Sequence, residues 1–283
     1  MKIEIDGVDV PYQLDGEKVL GDLIPTLRLY LFNQGRMIEQ LLVDGAGRGI
    51  DAQLPITQIG LLSLTTAVIL DLDEVSKRAN TLLKHIETGK GCQLDKCAHN
   101  ITQWAKSVEF WLQDFSLSPD FFQLLARLPQ YDGKAEETSL YQKALTVVVR
   151  CLAERNAELE DPITVTLHGM QALLEKEQAM LDMGITLQSN QDATSAYEIL
   201  LFTEALQKLK RVSRLLPESH DALYDRLDAW LEESLGIMTQ MVEAFDTKDF
   251  ILTADLAEYE LVERLQSLKT LEEEFRVLSL GQS

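Results

Sequence analysis

From Ala67 to Leu278 apolar residues recur at helical spacing with only short polar interruptions, and this limits what the chain can fold into. Val68, Leu70, Leu72, Val75, Ala79, Leu82, Leu83 and Ile86 predict one helix, stopped by Thr88-Gly89-Lys90-Gly91. The same spacing predicts helices over residues 92–115, 119–128, 135–159, 162–187, 192–216, 220–245 and 249–278. Breakers separate them at residues 116–119, 129–133, 161–162, 188–191, 217 and 246–248. An amphipathic helix must cover its apolar stripe, and short connections place its neighbour antiparallel to it. The expectation is therefore an elongated bundle of antiparallel helical hairpins.

A weak internal repeat runs through this region. The turns TGKG (88–91), SNQD (189–192) and DTKD (246–249) each end a long helix and precede another. With Gly91, Asp192 and Asp249 in register, Ile101, Phe202 and Tyr259 share one position, and Ala98, Ile199 and Leu256 another. The unit would be a helical hairpin, although amphipathic helices also align with one another by default.

The first 66 residues follow a different pattern. KIEI and VDVPYQL flank Asp6-Gly7, a hairpin signal. A helix follows over residues 19–33, with Asp15-Gly16 before it and Gly35 placed to end it. Pro25 fits that helix only in its first turn, where a missing N–H costs little. Met37 to Val43 reads as a third strand closed by Asp44-Gly45, and Gly60 to Thr66 as a fourth, after a loop with Gly47, Gly49 and Pro55. This ββαββ order resembles the ubiquitin-like β-grasp fold over the first quarter of the chain. The fold class expected is α+β, mostly α. Residues 1–66 would form a small β-grasp-like domain, and residues 67–283 a helical bundle subdivided near 129–133 or 160.

Charge narrows the function classes. Lys and Arg total 26 against 46 Asp and Glu, a net charge of −20. That balance disfavours nucleic acid and anionic membrane as partners and permits a basic protein. The amino-terminal MKIEIDGVDVPY has no apolar signal region, and Ile59 to Leu72 is too short and polar to span a bilayer. The three cysteines, Cys92, Cys97 and Cys151, fit a reducing cytoplasm. Cytoplasmic localisation is expected.

Chemical signatures are weak. His85, Cys92, Cys97 and His99 are close in sequence, but H-x6-C-x4-C-x-H is poor zinc spacing. None of the four histidines follows a glutamate by three residues, as a di-iron bundle requires. Asp255, Glu258 and Glu263 share helical spacing and read as a solvated face. There is no G-x-S-x-G elbow, and DGAGRG (44–49) lacks the lysine and hydroxyl of a phosphate loop. No catalytic, cofactor-binding or metal-binding residue is assigned, and no cofactor is expected.

Two features point to interactions instead. Residues 217–283 carry 16 acidic and 5 basic residues, and a basic cluster, Lys208, Lys210, Arg211 and Arg214, precedes them. The two can pair between neighbouring helices or between subunits. Trp104, Trp111 and Phe115 form an i, i+7, i+11 stripe that serves either as core or as a docking groove. Tyr259 belongs to a C-terminal helix with more apolar surface than one narrow stripe. The function expected is a non-enzymatic protein–protein interaction role: a scaffold, adaptor or assembly factor acting through acidic helical surfaces. The partner would be a protein of unidentified type, with a homodimer also expected. The alternatives are a cytoplasmic chaperone for a secreted or flagellar subunit, by analogy alone, and an enzyme with an unrecognised carboxylate site.

Overall fold

The structure is a computed structural model that describes residues 1–11, 16–47, 53–88, 98–131, 133–189, 192–216 and 221–281. The turn residues Asp15, Gly49, Gly89 to Gly91 and Pro217, and the thiols Cys92 and Cys97, lie outside this set. The chain is α+β and mostly α, a small mixed sheet being followed by helices. Two compact units, Met1–Ala153 and Glu154–Ser283, divide it.

In the first unit, β1 (Lys2–Ile5) and β2 (Val8–Asp9) form a hairpin in the register Glu4 to Asp9. Its turn needs left-handed backbone at both central residues, and Asp6 (φ 51°) and Gly7 (φ 79°) supply it. Asp6 also ties the turn to the sheet. Its carboxylate accepts the Thr66 N–H at 2.8 Å and the Thr66 hydroxyl at 2.7 Å, and pairs with Arg36 at 2.9 Å. These bonds from Thr66 hold the carboxyl below the usual carboxylate range.

Helix α1 (Leu20–Phe32) crosses next and buries Leu20, Leu23, Ile24, Leu27 and Leu31. The Asp22 carboxylate opens it by accepting the Lys18 and Val19 N–H groups. Because α1 starts at Leu20, Pro25 lies inside the helix rather than in its first turn. Its missing N–H falls opposite Gly21, whose carbonyl belongs to the first turn. Gly35 (φ 68°) ends the element. Strands β3 (Arg36–Val43) and β4 (Leu61–Val68) complete a sheet ordered β2-β1-β4-β3, with β1 parallel to β4 and β3 antiparallel to β4. The ββαββ order expected from the sequence is present.

Strand β4 runs to Val68, so Val68 and Leu70 precede the helix that the periodicity gave them to. Asp71 sets the true start by accepting the Glu74 N–H, and α2 covers Leu72–Glu87. Helices α3 (Ala98–Trp111), α4 (Pro119–Ala126) and α5 (Ala135–Glu160) follow, and the boundary between the units falls within α5. Val75, Trp104, Val108, Leu112, Leu125, Leu145 and Leu152 are among the buried residues of their core.

The second unit contains α6 (Pro162–Leu174), α7 (Glu177–Leu181), α8 (Met183–Gln188), α9 (Asp192–Ser213) and α10 (Asp221–Asp246). The single helix predicted for 162–187 is thus three pieces. No proline or glycine marks the first break. The three pieces bring Leu173, Met180, Met183 and Leu187 into one core. The last run is α11 (Phe250–Asp255), a π turn (Leu256–Leu261) and α12 (Val262–Gly281). No helix among the described residues is long and apolar enough to cross a membrane.

Candidate functional site

Within the second unit, the C-terminal run presents both an inner and an outer face. Leu256, Ala257, Leu261, Val262, Leu265, Leu268, Leu271 and Phe275 enter the core. Ile251, Leu252, Asp255, Tyr259, Glu260 and Glu263 point outward at spacings of three and four residues. Ile251 is 77% exposed, Tyr259 69% and Leu252 44%.

The π turn affects which side chains face out. In a regular α-helix, Glu260 would follow Leu256 and Ala257 onto the buried side, whereas Tyr259 already follows Leu252 and Asp255 outward by seven and four residues. A π turn closes between residues five apart, so Leu256 and Leu261 both enter the core and Glu260 stays in solvent. The repeat fails at its third copy: Ile101 and Phe202 are buried, whereas Tyr259 is not. Helix α8 packs against α11 alongside. Gly184 permits the close approach, for a Cβ there would sit 2.5 Å from Glu258 Oε1. The Gly184 N–H instead donates to that oxygen at 3.1 Å.

Electrostatically the face is one-sided. Residues 154–283 contain 26 acidic and 11 basic residues, a net of −15. Asp255, Glu260 and Glu263 form no salt bridge among the described residues. Of the cations nearest in sequence, Arg264 pairs with Glu233, and Lys248 stands in the turn before α11.

Residues 165–271 match the model of a domain of unknown function, DUF8042. The matched span contains the whole outer face, from Ile251 to Glu263. No curated protein and no solved structure matches the chain.

The basic cluster lies in the same unit and is used inside it. Arg211 is buried and donates to Glu158 through Nε at 3.0 Å and Nη2 at 2.6 Å, and to Glu154 at 2.7 Å. Glu158 is wholly buried and also faces Arg155 at 3.4 Å. Lys208 pairs with Glu154 at 3.0 Å, and Lys210 with Glu232 on α10. Arg214 is exposed. Lys210 thus meets the acidic segment 217–283, at Glu232, whereas Lys208 and Arg211 pair with Glu154 and Glu158 of α5.

The aromatic stripe belongs to the first unit. Trp104 is fully buried and donates its indole N–H to the Val75 carbonyl at 3.0 Å. Trp111 is half-buried, donates to the Leu70 carbonyl at 3.0 Å and meets Phe32 and Phe110 edge-on. Phe115 is buried in the same core. These three rings therefore build the interior of the unit.

A cleft of about 400 Å³ in the first unit is lined by Arg28, Met37, Ile38, Glu39, Lys106, Glu109, Phe110 and Gln113. Lys106 pairs with Glu39 across it, and Arg28 donates to Gln113 at 3.3 Å. Its lining contains no histidine, cysteine or hydroxyl nucleophile. Among the described residues no group of three His, Cys, Asp or Glu side chains is placed to hold a metal. The sequence cluster with Cys92 and Cys97 lies outside those residues. Glu258 is engaged by Gly184, while Asp255 and Glu263 stand in solvent.

Sequence reasoning missed the π turn and the burial of Glu158 and Arg211. Periodicity carries a trace of the first: Leu256 to Leu261 is a five-residue step between core positions. It carries none of the second, since Glu154, Glu158 and Arg211 meet only through tertiary packing.

Proposed function

We propose that this chain is a non-enzymatic protein-interaction module, a scaffold, adaptor or assembly factor of the cytoplasm, that engages a protein partner through the outer face of its C-terminal helices. The observation that carries the reading is the outward set Ile251, Leu252 and Tyr259, three large apolar side chains on one face among unpaired carboxylates. Exposed apolar side chains grouped on a polar rim are the ordinary form of a protein-binding surface. The partner is a different protein rather than a second copy. Two copies would each bring a net −15 to the contact, while Lys208, Lys210 and Arg211 are held by carboxylates of their own chain.

A photo-crosslinking residue in place of Tyr259, expressed in the native cells, tests this. The expected result is a discrete adduct with another protein, lost when Ile251→Asp is added and absent from the same probe at exposed Val277 on α12. Equal or no labelling at the two positions would reject the reading.

A further inference from the structure

We infer that the partner element received by this face is a cationic amphipathic helix, with Lys and Arg flanking an apolar stripe. The inference rests on the interaction reading above and deepens it. Two observations select this occupant.

The first is charge. Asp255, Glu260 and Glu263 lie on the same face as Ile251, Leu252 and Tyr259, and none forms a salt bridge among the described residues. An occupant without positive charge would leave these carboxylates partly desolvated and uncompensated. An acidic occupant, including a second copy of this chain, would add repulsion.

The second is the backbone. The face is built by α11, the π turn and α12, with α8 alongside, and the second unit has no strand among the described residues. An extended segment laid there would find no strand edge for its own N–H and C=O groups. A helix satisfies them internally and needs only side-chain contacts. From Ile251 to Glu263 the face is roughly 18 Å long, at about 1.5 Å per helical residue. That length suits a partner helix of about three to four turns with apolar anchors at i, i+4 and i+7. The π turn contributes by keeping Glu260 outward beside Tyr259.

The test uses the full chain and three synthetic eighteen-residue peptides: an amphipathic Leu/Lys helix, a scrambled peptide of the same composition, and an amphipathic Leu/Glu helix. Binding is read by fluorescence anisotropy across a salt series. The Leu/Lys helix should bind, the scrambled peptide should bind at least about tenfold more weakly, and the Leu/Glu helix should not bind. Ile251→Asp and Tyr259→Asp should each weaken the Leu/Lys helix by about tenfold or more, whereas Val277→Asp should leave it unchanged. Asp255→Asn with Glu263→Gln should weaken it at low salt and not at high salt. Circular dichroism of each variant checks that the fold is kept.

Equal binding of the scrambled peptide, or indifference to Ile251→Asp and Tyr259→Asp, would overturn the inference. So would a Tyr259-dependent homodimer in light scattering. Failure here is distinguishable from failure of the broader reading. A partner crosslinked from position 259 through a segment that is not basic keeps the interaction module and discards the cationic helix. The loss of all crosslinking discards both.

Discussion

Arg211→Met offers a sharp test of how the second unit is held together. Arg211 reaches Glu158 through two nitrogens and Glu154 through one, and the Glu158 carboxylate has no solvent exposure. Methionine keeps much of the aliphatic volume and removes the charge. Among the described residues Glu158 then keeps Arg155, whose Nη1 stands 3.4 Å away, a weaker contact than the 2.6 Å bond lost. Removing one partner of a buried pair costs about 3–5 kcal/mol, because a buried charge is left uncompensated. For a unit of this size that is a fall of roughly 10–20 °C in thermal midpoint. Exposed pairs such as Arg226–Glu274, by contrast, contribute little, because water screens them and holding two long side chains in place costs entropy. The double variant Arg211→Met with Glu158→Leu removes both charges and should recover most of the loss. Hydrogen exchange on α9 peptides, with a urea melt of each member of the double-mutant cycle, measures the coupling. A single-variant loss under about 1 kcal/mol, or additive single losses, would refute the account of a buried pair sustained by mutual charge.

Three further outcomes follow from local geometry. Deleting Tyr259 shortens the π turn to an α turn and leaves Leu256 and Leu261 four residues apart, so thermal melts should show a midpoint unchanged or raised; a collapse of the fold would mean that the turn is required for packing. Asp161→Ala removes the cap on Thr164 N–H and should cost about 1 kcal/mol at neutral pH. Those bonds from Thr164 hold the Asp161 carboxyl below its usual range, so its contribution is complete at neutral pH and fades as pH falls below about 5; the Asp161→Ala penalty measured by urea melts should shrink in the same direction. Gly7→Ala places a Cβ at φ 79° and should destabilise the hairpin turn by about 1–2 kcal/mol, read as faster exchange of β1 and β2 amides, and unchanged exchange would discount the strain.

The places where sequence and structure part share a cause. Asp6-Gly7 and Asp44-Gly45 marked their turns because left-handed backbone restricts residue choice locally, and both pairs adopt it. Helix starts at Pro119 and Pro162 were legible for the same reason: Ser118 and Asp161 cap them, and proline is pre-shaped for the first turn. The break after Leu174 was illegible because no residue there forbids helix. Nor does periodicity say whether an apolar ring is core or surface. Phe202 and Tyr259 share one place in the aligned helices, yet one is sealed inside and the other stands in solvent.

The sequence by itself therefore determined the α+β class, the order of the four strands and first helix, most helix boundaries, and a net charge of −20. Each of these depends on interactions within a few residues or on a sum over the whole chain. Tertiary structure alone decided that Arg211 is spent on a buried Glu158, that residues 162–187 bend into three helices, and that a π turn brings both Leu256 and Leu261 into the core. Those outcomes depend on which distant side chains compete for one core, and a helix yields a hydrogen bond or a phase step where that competition is won elsewhere.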